Sequence, residues 1–141
     1  MRHLSCGDDR RFQVEVESCN VAPAQFDHRA HVRLAYVYLT QNDTAAAHER
    51  MRETLLAFLA CNGITRAKYH ETITRAWILA VRHFMERTAA SESADAFIEQ
   101  NPMILDSRIM LTHYSAELLF SDAARSQYVE PDRDPIPRHG P

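Results

Sequence analysis

Apolar positions along most of this chain recur at helical spacing. Residues 24–41, AQFDHRAHVRLAYVYLTQ, contain neither glycine nor proline, and apolar side chains almost encircle their second half. A helix that is apolar on nearly all sides is buried on most of them. Asn42 and Asp43 end this helix and offer an N-cap for the next. Residues 44–62 continue helically with Met51, Leu55, Phe58 and Leu59 on one face, and Gly63 supplies a C-terminal cap. Thr65 caps a third helix over about 66–88, whose inner face reads Ile73, Trp77, Ala80 and Phe84. Connections of about 3–5 residues make successive helices antiparallel neighbours. The expected fold is all-α, an up-down-up bundle.

The flanks read differently. Phe12, Val14 and Val16 alternate with Gln13, Glu15 and Glu17, a period of two that predicts a short strand or an extended N-terminal arm. Ser91 or Ser93 opens a short helix, ADAFIEQ, which Asn101-Pro102 stops. Residues 103–120 give a further helical region with a break near Ser115, and Ser121-Asp122 cap a last turn. From Glu130 onward the chain holds four of its six prolines, an extended tail. The expected organisation is an arm over 1–22, one helical domain over 23–130 and a Pro-rich tail over 131–141.

Composition narrows the function. With 141 residues, 45% apolar and 25% charged, the chain fits one ordinary globular domain. A net charge of -3 argues against a general nucleic-acid binder, which needs a basic surface. No run of 18 apolar residues exists to span a membrane, and the first residues lack the apolar stretch of a secretion signal. A cytoplasmic protein is expected. Cys6, Cys19 and Cys61 are odd in number and widely spaced, and are read as reduced thiols. Three glycines are too few for a phosphate-cradling loop.

Eight histidines are the unusual feature. His28 and His31 stand at i and i+3 on the first long helix, so both imidazoles project from one side. His70 lies three residues before Ile73 and continues the inward face of the third helix, with Glu71 at its edge. In an up-down-up bundle these two helices run parallel, so their starts share a pole. Bundle metal sites are built from inward side chains on facing helices. His28, His31, His70 and Glu71 are therefore the candidate ligands of one transition-metal ion, with Fe favoured and Cu, Mn, Ni or Zn alternatives. Glu71 is either a ligand or the general base beside the ion. Tyr69, Thr72, Thr74, His113 and Tyr114 are candidate outer-shell or substrate-contacting residues. His48 and His83 fall at the opposite pole, and His3 and His139 in solvated tails. Neither E-x-x-H pairs nor H-E-x-x-H occur, which speaks against a ferritin-like di-iron centre and a zinc peptidase. Arg29, Arg33, Arg66 and Arg75 read mainly as solvated helix faces, with an anionic substrate as the sharper alternative.

The segments FDHRAHVRLAYVYL, YHETITRAW and YVEPDRDPIP resemble a family of small helical bacterial proteins. The matching positions are Phe26, His28 and His31, then Tyr69, His70, Glu71, Thr72 and Thr74, then Pro131 and Asp132. The resemblance implies a helical fold and singles out the same histidines. It implies no particular reaction.

Two functions from different classes fit. One is a metal-dependent enzyme acting on a small molecule, with an oxidoreductase preferred, because a bundle core is dry and the cluster holds no cysteine. The other is a non-catalytic helical module that binds a ligand or a protein, its histidines forming a buried network. A homodimer is expected under both, since the first long helix carries more apolar surface than a small bundle covers.

Overall fold

The structure, a computed structural model, describes residues 2–139. Seven α-helices form among them: α1 (Gly7–Glu17), α2 (His28–Gln41), α3 (Thr44–Cys61), α4 (Glu71–Arg87), α5 (Ala94–Gln100), α6 (Ala116–Leu119) and α7 (Asp122–Ser126). Short 3-10 turns at Pro23–Gln25, Arg66–Lys68, Pro102–Leu105 and Ser107–Thr112 join them, and the described residues contain no strand. Helices α2, α3 and α4 pack on one another as the expected up-down-up core. Phe26, just before α2, meets Phe58 near the end of α3, and Arg82 late in α4 reaches Thr44 at the start of α3.

Helix α2 is the central rod. Its caps are Asp27, whose carboxylate accepts from Ala30 N–H, and Asn42. Leu34, Tyr36, Val37 and Tyr38 are fully buried, because α1, α3, α4 and α5 surround the helix within one chain. The apolar surface that suggested a dimer is thus covered internally. Buried hydroxyls find partners, as satisfied polar groups in a core must. Tyr36 donates to Leu4 O at 2.7 Å, and Tyr38 donates to Glu17 at 2.5 Å and pairs with Thr54 at 2.6 Å.

The expected N-terminal arm is a helix instead. Cys6 and Asp9 form a capping box that starts α1, which carries acidic residues in its first turn. The alternation of Phe12, Val14 and Val16 is not the burial pattern, since Val14 is 60% exposed. The buried positions are Asp9, Gln13 and Val16, spaced four and three, which is helical. The polar inward residues hid this face. Asp9 is 1% exposed and accepts from Cys6 N–H, Ala94 N–H and the Arg33 Nε, so one carboxylate ties α1 to α2 and α5. Ahead of α1, His3 is not solvated either. Its Nδ1 accepts from Ser91 N–H and its Nε2 donates to Met85 O.

The thiols also depart from expectation. Cys19 and Cys61 form a disulfide, with Cα atoms 6.5 Å apart, joining the loop after α1 to the last residue of α3. Both partners sit at helix ends. Cys19 adopts φ 62°, a left-handed position uncommon for a residue with a side chain, while Gly63 takes φ 66° at the expected C-cap of α3. Only Cys6 is free, and it is spent as the cap of α1. The Cys pair spans 42 residues, a loop whose closure restricts the unfolded chain. Reduction, or Cys61→Ser, is expected to lower the unfolding free energy by about 2–4 kcal/mol, read from urea denaturation with and without dithiothreitol.

Candidate functional site

Two apolar clusters make up the core. One surrounds α2 and the inner face of α3, and the other joins α4 to Met110, Tyr114, Leu119 and Ile136. Trp77 packs against both. At their seam lies a half-open cavity of about 850 Å³. That volume is in the range of small-molecule sites. The α2–α3 side contributes Phe26, Val32, Ala35, Met51, Leu55 and Phe58, and the opposite side Ile73, Trp77, Met110, Leu111 and Leu119.

The cavity exists because α4 starts late. The third helix was expected from residue 66, but the chain makes only a 3-10 turn over Arg66–Lys68 and then extends through Tyr69 and His70. Helix α4 begins at Glu71, whose carboxylate lies 3.5 Å from His48 and 3.8 Å from Arg52, one and two turns into α3. The last two turns of α3 therefore run past the start of α4. Leu55, Phe58 and Leu59 face the cavity there, instead of a neighbouring helix.

The structure brings His28, His31 and His70 onto this one cavity wall, as their spacing implied. Two of the three make hydrogen bonds within the protein. His70 is the N-cap of α4 and not a residue of its face. Its Nδ1 accepts from Ile73 N–H at 3.1 Å, which leaves the proton on Nε2 to be donated to Leu119 O at 2.7 Å. Both nitrogens are engaged. His28 donates Nε2–H to Ile104 O at 3.0 Å and meets the Trp77 ring edge-on at 4.7 Å. His31 stacks at a tilt on Phe26, 4.3 Å between centroids, and among the described residues no hydrogen bond holds either of its nitrogens. Burial, then the neighbouring His28, pushes its pKa down to about 4, against a smaller opposing pull from Asp27. His31 is thus a neutral imidazole inside an apolar cavity at pH 7.

Glu71 turns away from these histidines. It accepts from the Tyr69 hydroxyl at 2.5 Å and faces His48 and Arg52 on α3. The expectation that His48 sits at the far pole fails for the reason already given, the late start of α4. Among the described residues no group of three or more His, Cys, Asp or Glu side chains stands close enough to hold a metal ion.

The other candidates divide. Tyr69 and Thr74 line the cavity, and Thr74 donates to His70 O. Thr72 is fully buried behind the wall, donating to Gln127 O and accepting from Val129 N–H. His113 accompanies Asp134 O, and Tyr114 donates to Val129 O, so both fasten the tail and neither enters the cavity. The tail is extended as expected, yet held. Asp132 accepts from both N–H and hydroxyl of Ser115, and Ile136 is buried in the second cluster. His83 and His139 pair with each other, 2.8 Å apart and away from the cavity. Arg108 and Arg125, which the sequence did not single out, lie at the cavity edge with Lys68. Only the fold shows that these cations face one opening.

No protein family, curated protein or solved structure matches the chain.

The depressed histidines have a pH signature. His31, and His70 through burial, resist protonation in the folded chain, whereas unfolding restores an ordinary value near 6.5. Below that value protons bind preferentially to the unfolded state, so stability falls as pH drops toward the folded value. Carboxylates held low, such as Glu17 and Asp9, add their loss only from below about pH 4.5. Between pH 6.5 and 4.5, wild type is expected to lose about 2 kcal/mol more than His31→Leu, compared by chemical denaturation at the two pH values.

Proposed function

We propose that the protein is a binding module for a small, largely apolar molecule, taken up in the cavity between its two core clusters. The observation that carries this reading is the cavity of about 850 Å³, walled by aliphatic and aromatic side chains with a neutral imidazole inside. Apolar surface of this kind gains by burying a ligand, and the few polar groups set its orientation. His31 offers one donor and one acceptor to a ligand's polar atom. With its pKa at about 4 it is a weak base, which favours hydrogen bonding over proton abstraction.

The metal-centred oxidoreductase suggested by the sequence has less support in this arrangement. Its reading relied on four ligands at one pole, and His70 and Glu71 are committed to other partners.

The test is fluorescence titration with the neutral probe N-phenyl-1-naphthylamine. A saturable signal with one probe per chain is expected. Ala35→Phe, which fills the cavity from α2, and Leu59→Trp, which fills it from its rim, should each weaken binding at least about tenfold while circular dichroism stays helical. Lack of saturable binding by wild type, or full binding by both folded variants, overturns the reading.

A further inference from the structure

A second, smaller cavity of about 480 Å³ adjoins the first, and Tyr69 and Arg125 belong to the walls of both. The two differ in chemistry. Where the larger is apolar, the smaller is lined by Arg52, Arg66 and Arg125, with Tyr69 and Ser126 beside them. Its carboxylates are Glu71 and Asp122. Glu71 already accepts from the Tyr69 hydroxyl and lies beside His48. Three guanidiniums thus face two carboxylates, and Lys68 on the adjoining wall adds a fourth cation.

The fold uses these cations only in part, Arg52 through a 3.8 Å ion pair with Glu71. Arg52 Nε is buried without a hydrogen-bond partner, its nearest carboxylate oxygen being 3.8 Å away. A buried donor without a partner costs free energy unless something fills the gap. Among the described residues Arg66 and Lys68 form no ion pair. Arg125 donates one Nη1 bond to Ala67 O, which aims it without neutralising it. Its charge also reaches His70 on the larger cavity's wall, where it helps keep that imidazole neutral. A guanidinium fork suits the paired oxygens of a carboxylate or phosphate.

We infer that the ligand is an anionic amphiphile, its apolar body in the larger cavity and its carboxylate or phosphate head in the smaller one, held by Arg52, Arg66 and Arg125. The inference rests on the binding reading above and adds the ligand's chemical class. Arg125, on the shared wall, stands at the junction of body and head. Tyr69 belongs to both walls as well.

Displacement of bound N-phenyl-1-naphthylamine tests it, with dodecanol, dodecanoate and dodecyl phosphate as competitors at concentrations below micelle formation. Dodecanoate or dodecyl phosphate is expected to displace the probe at concentrations at least about tenfold below dodecanol, the scale of one charge-assisted bond. The better of the two anions identifies the head. In Arg66→Gln, and separately in Arg52→Gln, the anion's advantage over dodecanol should shrink, and added salt should shrink it in wild type. If dodecanol competes as well as both anions, or if both variants keep the full advantage, the anionic head is overturned and the apolar site stands. If the probe itself does not bind, both readings fall together.

Discussion

The imidazole of His70 determines where the fourth helix begins, and the cavity follows from that. In its neutral form, with the proton on Nε2, it accepts from the first turn of α4 and donates to Leu119 O at the end of α6. One side chain thereby caps a helix and anchors the C-terminal segment across from it. A second proton on the ring would remove the acceptor that the cap needs. Burial holds the pKa down and keeps the ring in the form the cap requires. Thr74 adds a bond back to His70 O, and Thr72 holds the Gln127–Val129 segment against α4. The start of α4 is thus fastened from several directions.

The other end of the molecule is fixed by Asp9. Its carboxylate is buried and accepts from two backbone N–H groups and from Arg33. Donors of this number hold the charged form, and they lower the pKa although burial, the largest influence, acts against them. Leu4 pairs with Ser91, and Tyr36 donates to Leu4 O, so the segment before α1 closes over α5 and α2. Helix α2 belongs to both this bonded end and the hollow, which its residues His28, His31, Val32 and Ala35 line. Polar bonds lock α1, α2 and α5 together, whereas the seam along α3, α4 and the C-terminal segment is left open.

Much of the architecture was legible because long helices announce themselves through periodicity. The runs that became α2, α3 and α4 read correctly as an up-down-up core, and Gly63 and Ser121 were readable as caps. The convergence of His28, His31 and His70 was legible too, since it needs only helix order and short connections. What stayed hidden depended on particular side chains. A capping His looks identical in sequence to a helix-face His, so His70 was read one turn too far inside α4. Helix α1 buries Asp9 and Gln13, and an inward face made of polar residues gives no apolar period. The Cys19–Cys61 bond depends on two helix ends meeting in space, which spacing along the chain does not encode.

The three histidines that the sequence singled out all line the hollow in this small core. Each imidazole presents an apolar face to Phe26, Trp77 or the wall beside it, while its polar edge is either satisfied by a backbone carbonyl or left toward the cavity. His28 is bonded to Ile104 O and His70 to Leu119 O, which fixes both rings where they line the cavity. Among the described residues His31 carries no such bond, and it stays uncharged at neutral pH. An apolar cavity holding a neutral imidazole free of other bonds favours a ligand that is mostly apolar and carries a polar atom to meet it. Arg52, Arg66 and Arg125 line the adjoining cavity, and an anionic group held there would be spared the apolar interior, where its desolvation would cost most.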